Sequence, residues 1–241
     1  MKTKLVIFGI TGDLSSRKLL PALSRIIDTT DFDDLSVIGV SRHEVDLNEL
    51  LTGHDRQLGG RTSMFTMDLT VASEYDKLRE YINVQADEQA IFYLSVPPTS
   101  SAEIVEYLGK SGLNGENVKL MLEKPFGIDL ASAREMIDHV GKYYNESQIY
   151  RIDHYLAKEM AQNILIFRAS NAIFNNVWNN QFIEKIEVVA SEKIGIEGRA
   201  NFYEQTGALR DLVQGHMMQL LSLTIMDVPD DAHYDETPAM R

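Results

Sequence analysis

The sequence predicts an α/β protein: a doubly wound parallel sheet, followed by the start of a second, α+β domain. Three observations carry this reading. Short, continuously apolar runs alternate with amphipathic stretches through the first part of the chain. A glycine-bearing turn joins the first of these runs to the first helix-like stretch. After Asn145 the alternation stops, and longer helical segments take over. Continuous apolar strands separated by helices imply a sheet covered on both faces, and right-handed crossovers wind the helices over it.

Taken in order, Leu5–Phe8 reads as a buried strand. Leu14–Ile27 reads as a helix with Leu19, Leu20, Leu23, Ile26 and Ile27 on its inner side. Val37–Val40 is the next strand, and Leu47–Leu51 is helical. Ile91–Leu94 and Lys119–Leu122 are further strands, accompanied by helices around Ile104–Leu108 and over Leu130–Val140. A loop holding Tyr150–Tyr155 leads into a helix over Leu156–Arg168. Phe182–Ala190 alternates Ile183, Ile186 and Val188 as a strand, and Gly207–Met226 is a long helix. The boundary falls near residues 145–148, giving a dinucleotide-binding domain over 1–147 and a second, shortened domain over 148–241. Two helices and a strand are too little to close a core, so the second domain reads as incomplete. Val228–Arg241, with its two prolines and several acids, supplies no capping element.

Composition narrows the classes of function. With 241 residues, 44% hydrophobic and 24% charged, the chain can bury a sizeable core. A net charge of −13 argues against a nucleic-acid partner, which needs clustered cations, and any anionic ligand must be held by a local basic site. The absence of cysteine removes disulfides, thiolate metal sites and a cysteine nucleophile, and fits a reducing, cytoplasmic setting. Met-Lys-Thr-Lys runs straight into a strand, not into a signal-peptide core. No apolar run approaches the ~20 residues of a membrane span.

Four segments carry chemistry. Gly9-Ile10-Thr11-Gly12-Asp13-Leu14 follows the first strand and opens the first helix, where backbone N–H groups and the helix dipole suit a pyrophosphate. A plain glycine turn with Asp13 as helix cap is the structural alternative. Ser41-Arg42 ends the second strand where NAD-binding folds usually place an acid, and an arginine there suits the 2′-phosphate of NADP, with Thr11 able to assist. Glu123-Lys124-Pro125-Phe126-Gly127 points Lys124 at the crevice beyond the strand ends; Pro125 is open to either peptide isomer. A surface ion pair before a turn is the alternative.

The densest polar run is Tyr150-Arg151-Ile152-Asp153-His154-Tyr155-Leu156-Ala157-Lys158-Glu159. A helix starting near His154 would put His154 and Lys158 on one face, with Tyr155 beside Lys158, as a cradle for a phosphate dianion. A solvated His–Lys face is the ordinary reading of such a pattern. Further on, His216 lies amid Leu212, Met217, Leu220 and Leu221 and reads equally as a core histidine. In an α-helix Asp211 stands roughly 140° around from His216, so a base at His216 would draw its orienting carboxylate from elsewhere, and Asp153 is available. The histidines lack metal-ligand spacing.

Together these segments resemble the glucose-6-phosphate dehydrogenase family. Gly-Ile-Thr-Gly-Asp-Leu-Ser-Ser-Arg-Lys-Leu at 9–19 is similar to its coenzyme turn, with Ser15 for a usual Ala. Glu-Lys-Pro-Phe-Gly at 123–127 matches a second signature. Arg-Ile-Asp-His-Tyr-Leu-Ala-Lys-Glu at 151–159 is similar to the active-site signature, with Ala157 for a usual Gly. Tyr203 to His216 matches the segment bearing the family's base, with Gly215 for a usual Asn. The resemblance covers essentially the whole chain and implies a Rossmann-type first domain.

The resemblance further implies an NADP-dependent oxidation of glucose 6-phosphate to the phosphogluconolactone, the entry step of the pentose phosphate pathway. His216 would be the general base and Asp153 its orienting carboxylate. His154, Tyr155 and Lys158 would hold the substrate phosphate, and Glu192 and Asp211 the sugar hydroxyls. Lys124 would lie between nicotinamide and substrate, with Lys18 supporting that junction. Gly9, Thr11, Gly12, Asp13, Leu14 and Arg42 would hold the cofactor. Family members run to roughly twice this length, and the remaining half supplies most of a large antiparallel sheet and the surface of a homodimer or higher homo-oligomer. Two other readings stand beside this one: a non-catalytic NADP-binding module, and a glucose–fructose oxidoreductase-like dehydrogenase, which shares Glu-Lys-Pro but not the 151–159 signature.

Overall fold

A computed structural model describes residues 1–27, 29, 32, 34–53, 56–127, 129–174, 176–191, 195 and 200–227. The chain divides into two compact units, Met1–Ile152 and Asp153–Arg241.

The first unit is a six-stranded sheet in the order β3-β2-β1-β4-β5-β6, every neighbouring pair parallel. Its strands are β1 (Lys2–Phe8), β2 (Leu35–Ser41), β3 (Thr62–Thr66), β4 (Glu88–Leu94), β5 (Val118–Glu123) and β6 (Ile149–Ile152). A π-helical segment, Ser15–Leu19, runs into α1 (Leu20–Ile27). The short helices α2 (Leu47–Leu50) and α3 (Arg56–Arg61) follow β2, and α4 (Ala72–Ile82), α5 (Pro98–Lys110) and α6 (Leu130–Val140) follow β3, β4 and β5. Alternation along each strand sends side chains to two cores. Val6, Phe8, Phe92 and Leu120 pack with Tyr75 and Leu78 of α4 and Ile104 and Leu108 of α5. On the opposite face Ile7, Val37 and Tyr93 pack with Leu20, Leu23 and Ile27 of α1 and Leu58 of α3. This strand order is that of a doubly wound dinucleotide fold, with its switch point between β1 and β4.

The expected loop at Tyr150–Tyr155 is corrected in its first half. Ile149–Ile152 pairs with β5 from Leu120 to Glu123 and closes the sheet. Gln148, buried just before it, donates to the Gly115 and Val118 carbonyls and secures the register.

The second unit contains α7 (Glu159–Ser170), α8 (Ala200–Ala208), a π-helical segment Leu209–Met217, and α9 (Met218–Ile225). Gly207 interrupts the run with φ 64° and ψ 171°, a conformation open to glycine, so the expected helix from Gly207 starts after it. Ala161 and Leu165 of α7 pack with Leu220 and Leu223 of α9. Arg168 fastens the end of α9, its guanidinium donating to the Leu223 carbonyl at 2.7 Å and the Met226 carbonyl at 2.6 Å. Trp178, 5.2 Å from that guanidinium, donates to the Thr224 carbonyl at 2.8 Å. The strand expected at Phe182–Ala190 does not form: residues 183–190 have no regular structure. A strand needs a neighbouring edge for its backbone groups, and among the described residues the second unit offers none.

Candidate active site

In the first unit the candidate site is built at the C-terminal ends of the strands. The chain leaves β1 through Gly9, whose φ is +78° and where a Cβ would stand 2.3 Å from the Ser95 carbonyl oxygen. The Gly12 amide donates to the Gly9 carbonyl at 2.9 Å, closing the turn, and the Ser16 amide to the Gly12 carbonyl at 3.0 Å, opening the helix. The turn is tied to both flanking strands: Gly9 N–H donates to Val40, and Ser95 N–H to Phe8. Thr11, Asp13, Leu14 and Lys18 are exposed, and Gly12 is half-buried. Asp13 does not cap the helix; its carboxylate pairs with Arg17 at 2.7 Å. A tight turn with glycines at positions 9 and 12, set at a helix start, fits a pyrophosphate group.

Arg42 is exposed just beyond β2. The Thr70 amide and hydroxyl hold the nearby Asp68 carboxyl below its ordinary range, and the Arg42 charge adds to this. At the end of β5 the Lys124–Pro125 bond is cis, and Lys124 is half-buried. Beside it the Tyr93 hydroxyl donates to the Glu123 carboxylate. Burial, and then Glu123, push the Tyr93 phenol far above its ordinary pKa.

In the second unit Asp153 folds its own neighbourhood. Its carboxylate accepts from the Tyr155 amide at 2.9 Å and the Leu156 amide at 3.4 Å, an Asx turn. This corrects the expected helix over Leu156–Arg168 and, with it, the helical start near His154 on which a shared His154–Lys158 face depends. The aspartate competes for those amides, and α7 begins only at Glu159, with Lys158 as its N-cap. His154 and Lys158 therefore do not share a helical face. The turn instead gathers rings. Tyr155 stacks on His216 with centroids 3.9 Å apart and planes within 11°. The Lys158 ammonium lies 3.8 Å from the Tyr155 centroid, necessarily on the other face of the ring. His154 meets both rings edge-on, 4.9 Å from Tyr155 and 4.7 Å from His216.

His216 Nδ1 stands 3.9 Å from Asp153 Oδ1, with side-chain exposures of 12% and 7%. This exceeds a hydrogen bond but is an ion-pair separation in a sheltered place. Asp211 is half-buried on the π-helical segment Leu209–Met217. The 140° argument against it assumed α geometry. In a segment whose last bond runs from the Met218 amide to the Val213 carbonyl, residues five apart sit about one turn apart, so spacing alone no longer separates Asp211 from His216. Glu192 lies outside the described residues.

The sequence assigns no site role to Ser15, Ser95, Tyr93 or Glu123. Ser15 is fully buried; its hydroxyl donates to the Gly9 carbonyl at 3.0 Å and lies 3.4 Å from the Ser95 hydroxyl. The signal available was position, since Ser95 and Glu123 sit at strand ends around the switch point. Among the described residues no group of three or more His, Asp or Glu is placed to hold a metal ion, and no helix is long and apolar enough to cross a membrane.

Comparison with known proteins bears on both units. Residues 6–163 match the family model described as the glucose-6-phosphate dehydrogenase NAD binding domain, and residues 165–239 match that family's C-terminal domain. The glucose-6-phosphate 1-dehydrogenase of Bacillus subtilis is 37% identical over 98% of this chain and 52% of its own length. That of Chlamydia pneumoniae is 38% identical over 96% of this chain and 51% of its own length. Among solved structures, glucose-6-phosphate 1-dehydrogenase from Mycobacterium avium superposes with a TM-score of 0.85 at 34% identity, covering 98% of this chain and 55% of that one. A glucose-6-phosphate dehydrogenase in complex with its substrate glucose-6-phosphate gives 0.87 at 29% identity, covering 96% of this chain and 52% of that one. The chain thus spans about half the length of the curated relatives it matches. The first unit is a nicotinamide-dinucleotide-binding fold, and the chain belongs to the glucose-6-phosphate dehydrogenase family.

Proposed function

We propose that this chain carries the cofactor-binding and base-bearing machinery of an NADP-dependent glucose-6-phosphate dehydrogenase, which oxidises C1 of glucose 6-phosphate to the phosphogluconolactone at the entry to the pentose phosphate pathway. The observation that carries the reading is the Asp153–His216 pair, sheltered and 3.9 Å apart. Asp153 is itself held by two backbone amides. A carboxylate on the Nδ1 side favours the imidazole tautomer protonated there, so that Nε2 is the basic nitrogen. His216 takes the proton of the C1 hydroxyl, the C1–O bond becomes the lactone carbonyl, and Asp153 steadies the imidazolium. NADP, when bound, accepts the hydride that leaves C1.

The other residues divide by charge. His154 and Lys158 bind the phosphate, and Tyr155, packed between Lys158 and His216, fixes the base and lends its phenol to the same group. In a chain of net charge −13 such local cations are what an anionic substrate requires. Asp211 and Glu192 bind sugar hydroxyls, and Lys124 and Lys18 serve the junction of nicotinamide and sugar. Gly9, Thr11, Gly12, Asp13 and Leu14 form the pyrophosphate turn, and Arg42 takes the 2′-phosphate and so selects NADP over NAD. The working form is a cytoplasmic homodimer or higher homo-oligomer.

The test is the rate of NADPH formation by the purified chain with glucose 6-phosphate and NADP, beside an Arg42→Ala variant assayed with NADP and with NAD. Turnover with NADP, selectively weakened in the variant, is expected. A folded chain that binds NADPH without turnover would replace this reading with that of a binding module.

A further inference from the structure

Tyr93 and Glu123 lie beside Lys124 at the end of β5, and the reading above gives neither of them a task. Tyr93 pairs with Ile7 of β1 on one side and Met121 of β5 on the other, so Glu123, two residues beyond Met121, stands diagonally from it on the same sheet face. The Tyr93 ring is buried in the core under α1, 7% exposed, and its hydroxyl is spent on the Glu123 carboxylate. Glu123 is half-buried at the very end of β5, immediately before Lys124. A carboxylate beside a site for anionic phosphates is unfavourable unless it has its own work, and one hydroxyl occupies only one of its four lone-pair sites. The strand order separates the two ends of a dinucleotide. Arg42 follows β2 on one side of the β1–β4 switch point, and Glu123 ends β5 on the other. The carboxylate therefore falls to the nicotinamide half, where the ligand's one amide donor is its carboxamide.

We propose that Tyr93 is a positioning residue for nicotinamide recognition: its hydroxyl fixes the Glu123 carboxylate so that a remaining oxygen accepts from the carboxamide N–H. This rests on the dinucleotide reading of the first unit. The bond also anchors the strand end from which Lys124 departs.

The experiment compares two probes on the full chain: NADPH, and adenosine 2′,5′-bisphosphate, which lacks the nicotinamide. Tyr93→Phe is expected to weaken NADPH about tenfold while changing the bisphosphate less than twofold, the loss of one hydrogen bond to a charged group. Glu123→Gln is expected to show the same selective loss, and the double variant to be no weaker than Glu123→Gln alone. Unchanged NADPH affinity in Tyr93→Phe, or equal weakening of both probes, would overturn the proposal by reducing the pair to a structural contact. Should Tyr93→Phe fail to fold, Glu123→Gln, which keeps the phenol, decides by the same selectivity. Failure of the unaltered chain to bind either probe overturns the dinucleotide reading and this inference with it, an outcome distinct from equal binding by the variants.

Discussion

Gly9 admits no side chain, because a Cβ would press to 2.3 Å of the Ser95 carbonyl oxygen while the backbone holds φ at +78°. Gly9→Ala must move the turn and carries a left-handed penalty of about 1–2 kcal/mol besides. Its expected result is at least a tenfold loss of NADPH affinity by nicotinamide fluorescence; unchanged affinity would show that the turn does not hold the pyrophosphate. At the base, His216→Asn and Asp153→Asn are each expected to lower turnover by about 10²–10⁴-fold, with little change in NADPH affinity. A parallel loss of binding would mean that the pair serves the fold. This pair is legible from the resemblance of residues 151–159 and 203–216 to the family's signatures, not from proximity, since acids also adjoin His43, His54, His139 and His154. α-helical spacing separates Asp211 from His216, but residues 209–217 are π-helical, a state with no simple sequence signature. The ring cluster of His154, Tyr155 and His216 was not legible either, since it depends on the Asp153 turn.

At the scale of elements, the central strands can be read from continuous apolar runs and α6 from its amphipathic pattern, which gives Leu130–Val140 as observed. The edges could not. β3 is Thr-Ser-Met-Phe-Thr and β6 is Ile-Tyr-Arg-Ile, short and half-polar, because an edge strand is only partly covered. The converse error occurred at 182–190, where an alternating pattern has no edge to join. Two elements make testable demands. Arg168→Met removes both caps on α9 and is expected to destabilise the second unit by about 2–3 kcal/mol, read by denaturant unfolding of that unit. In β4, the Lys4 ammonium and then the Gln85 amide hold the Glu88 carboxyl below its ordinary range. A depressed pKa stabilises above the unfolded value, so this contribution is present at neutral pH and fades as pH falls through the depressed value. The Tm difference between the native chain and Glu88→Gln should shrink on acidification; a constant difference would contradict the pairing.

For the whole molecule, the two units differ in how much apolar surface they cover. In the second, Met160, Ile173, Phe182 and Val189 are exposed by 64%, 73%, 65% and 86%. Surface of this kind promotes association, so the isolated chain is expected to self-associate in sedimentation velocity, and a monodisperse monomer would count against that. The same asymmetry explains why fold class could be read from the first unit and not from the second: a sheet covered on both faces writes its pattern into its central strands, whereas the second unit's helices are held together by single side chains. The role proposed for His216 is to drive hydride departure from C1 of glucose 6-phosphate. It is tested most directly by supplying substrate deuterated at C1 and weighing the reduced cofactor. The expected result is deuterium in NADPH with the native chain, formed about 10²–10⁴-fold more slowly with His216→Asn. Unlabelled NADPH, or label formed at an undiminished rate by the variant, would contradict it.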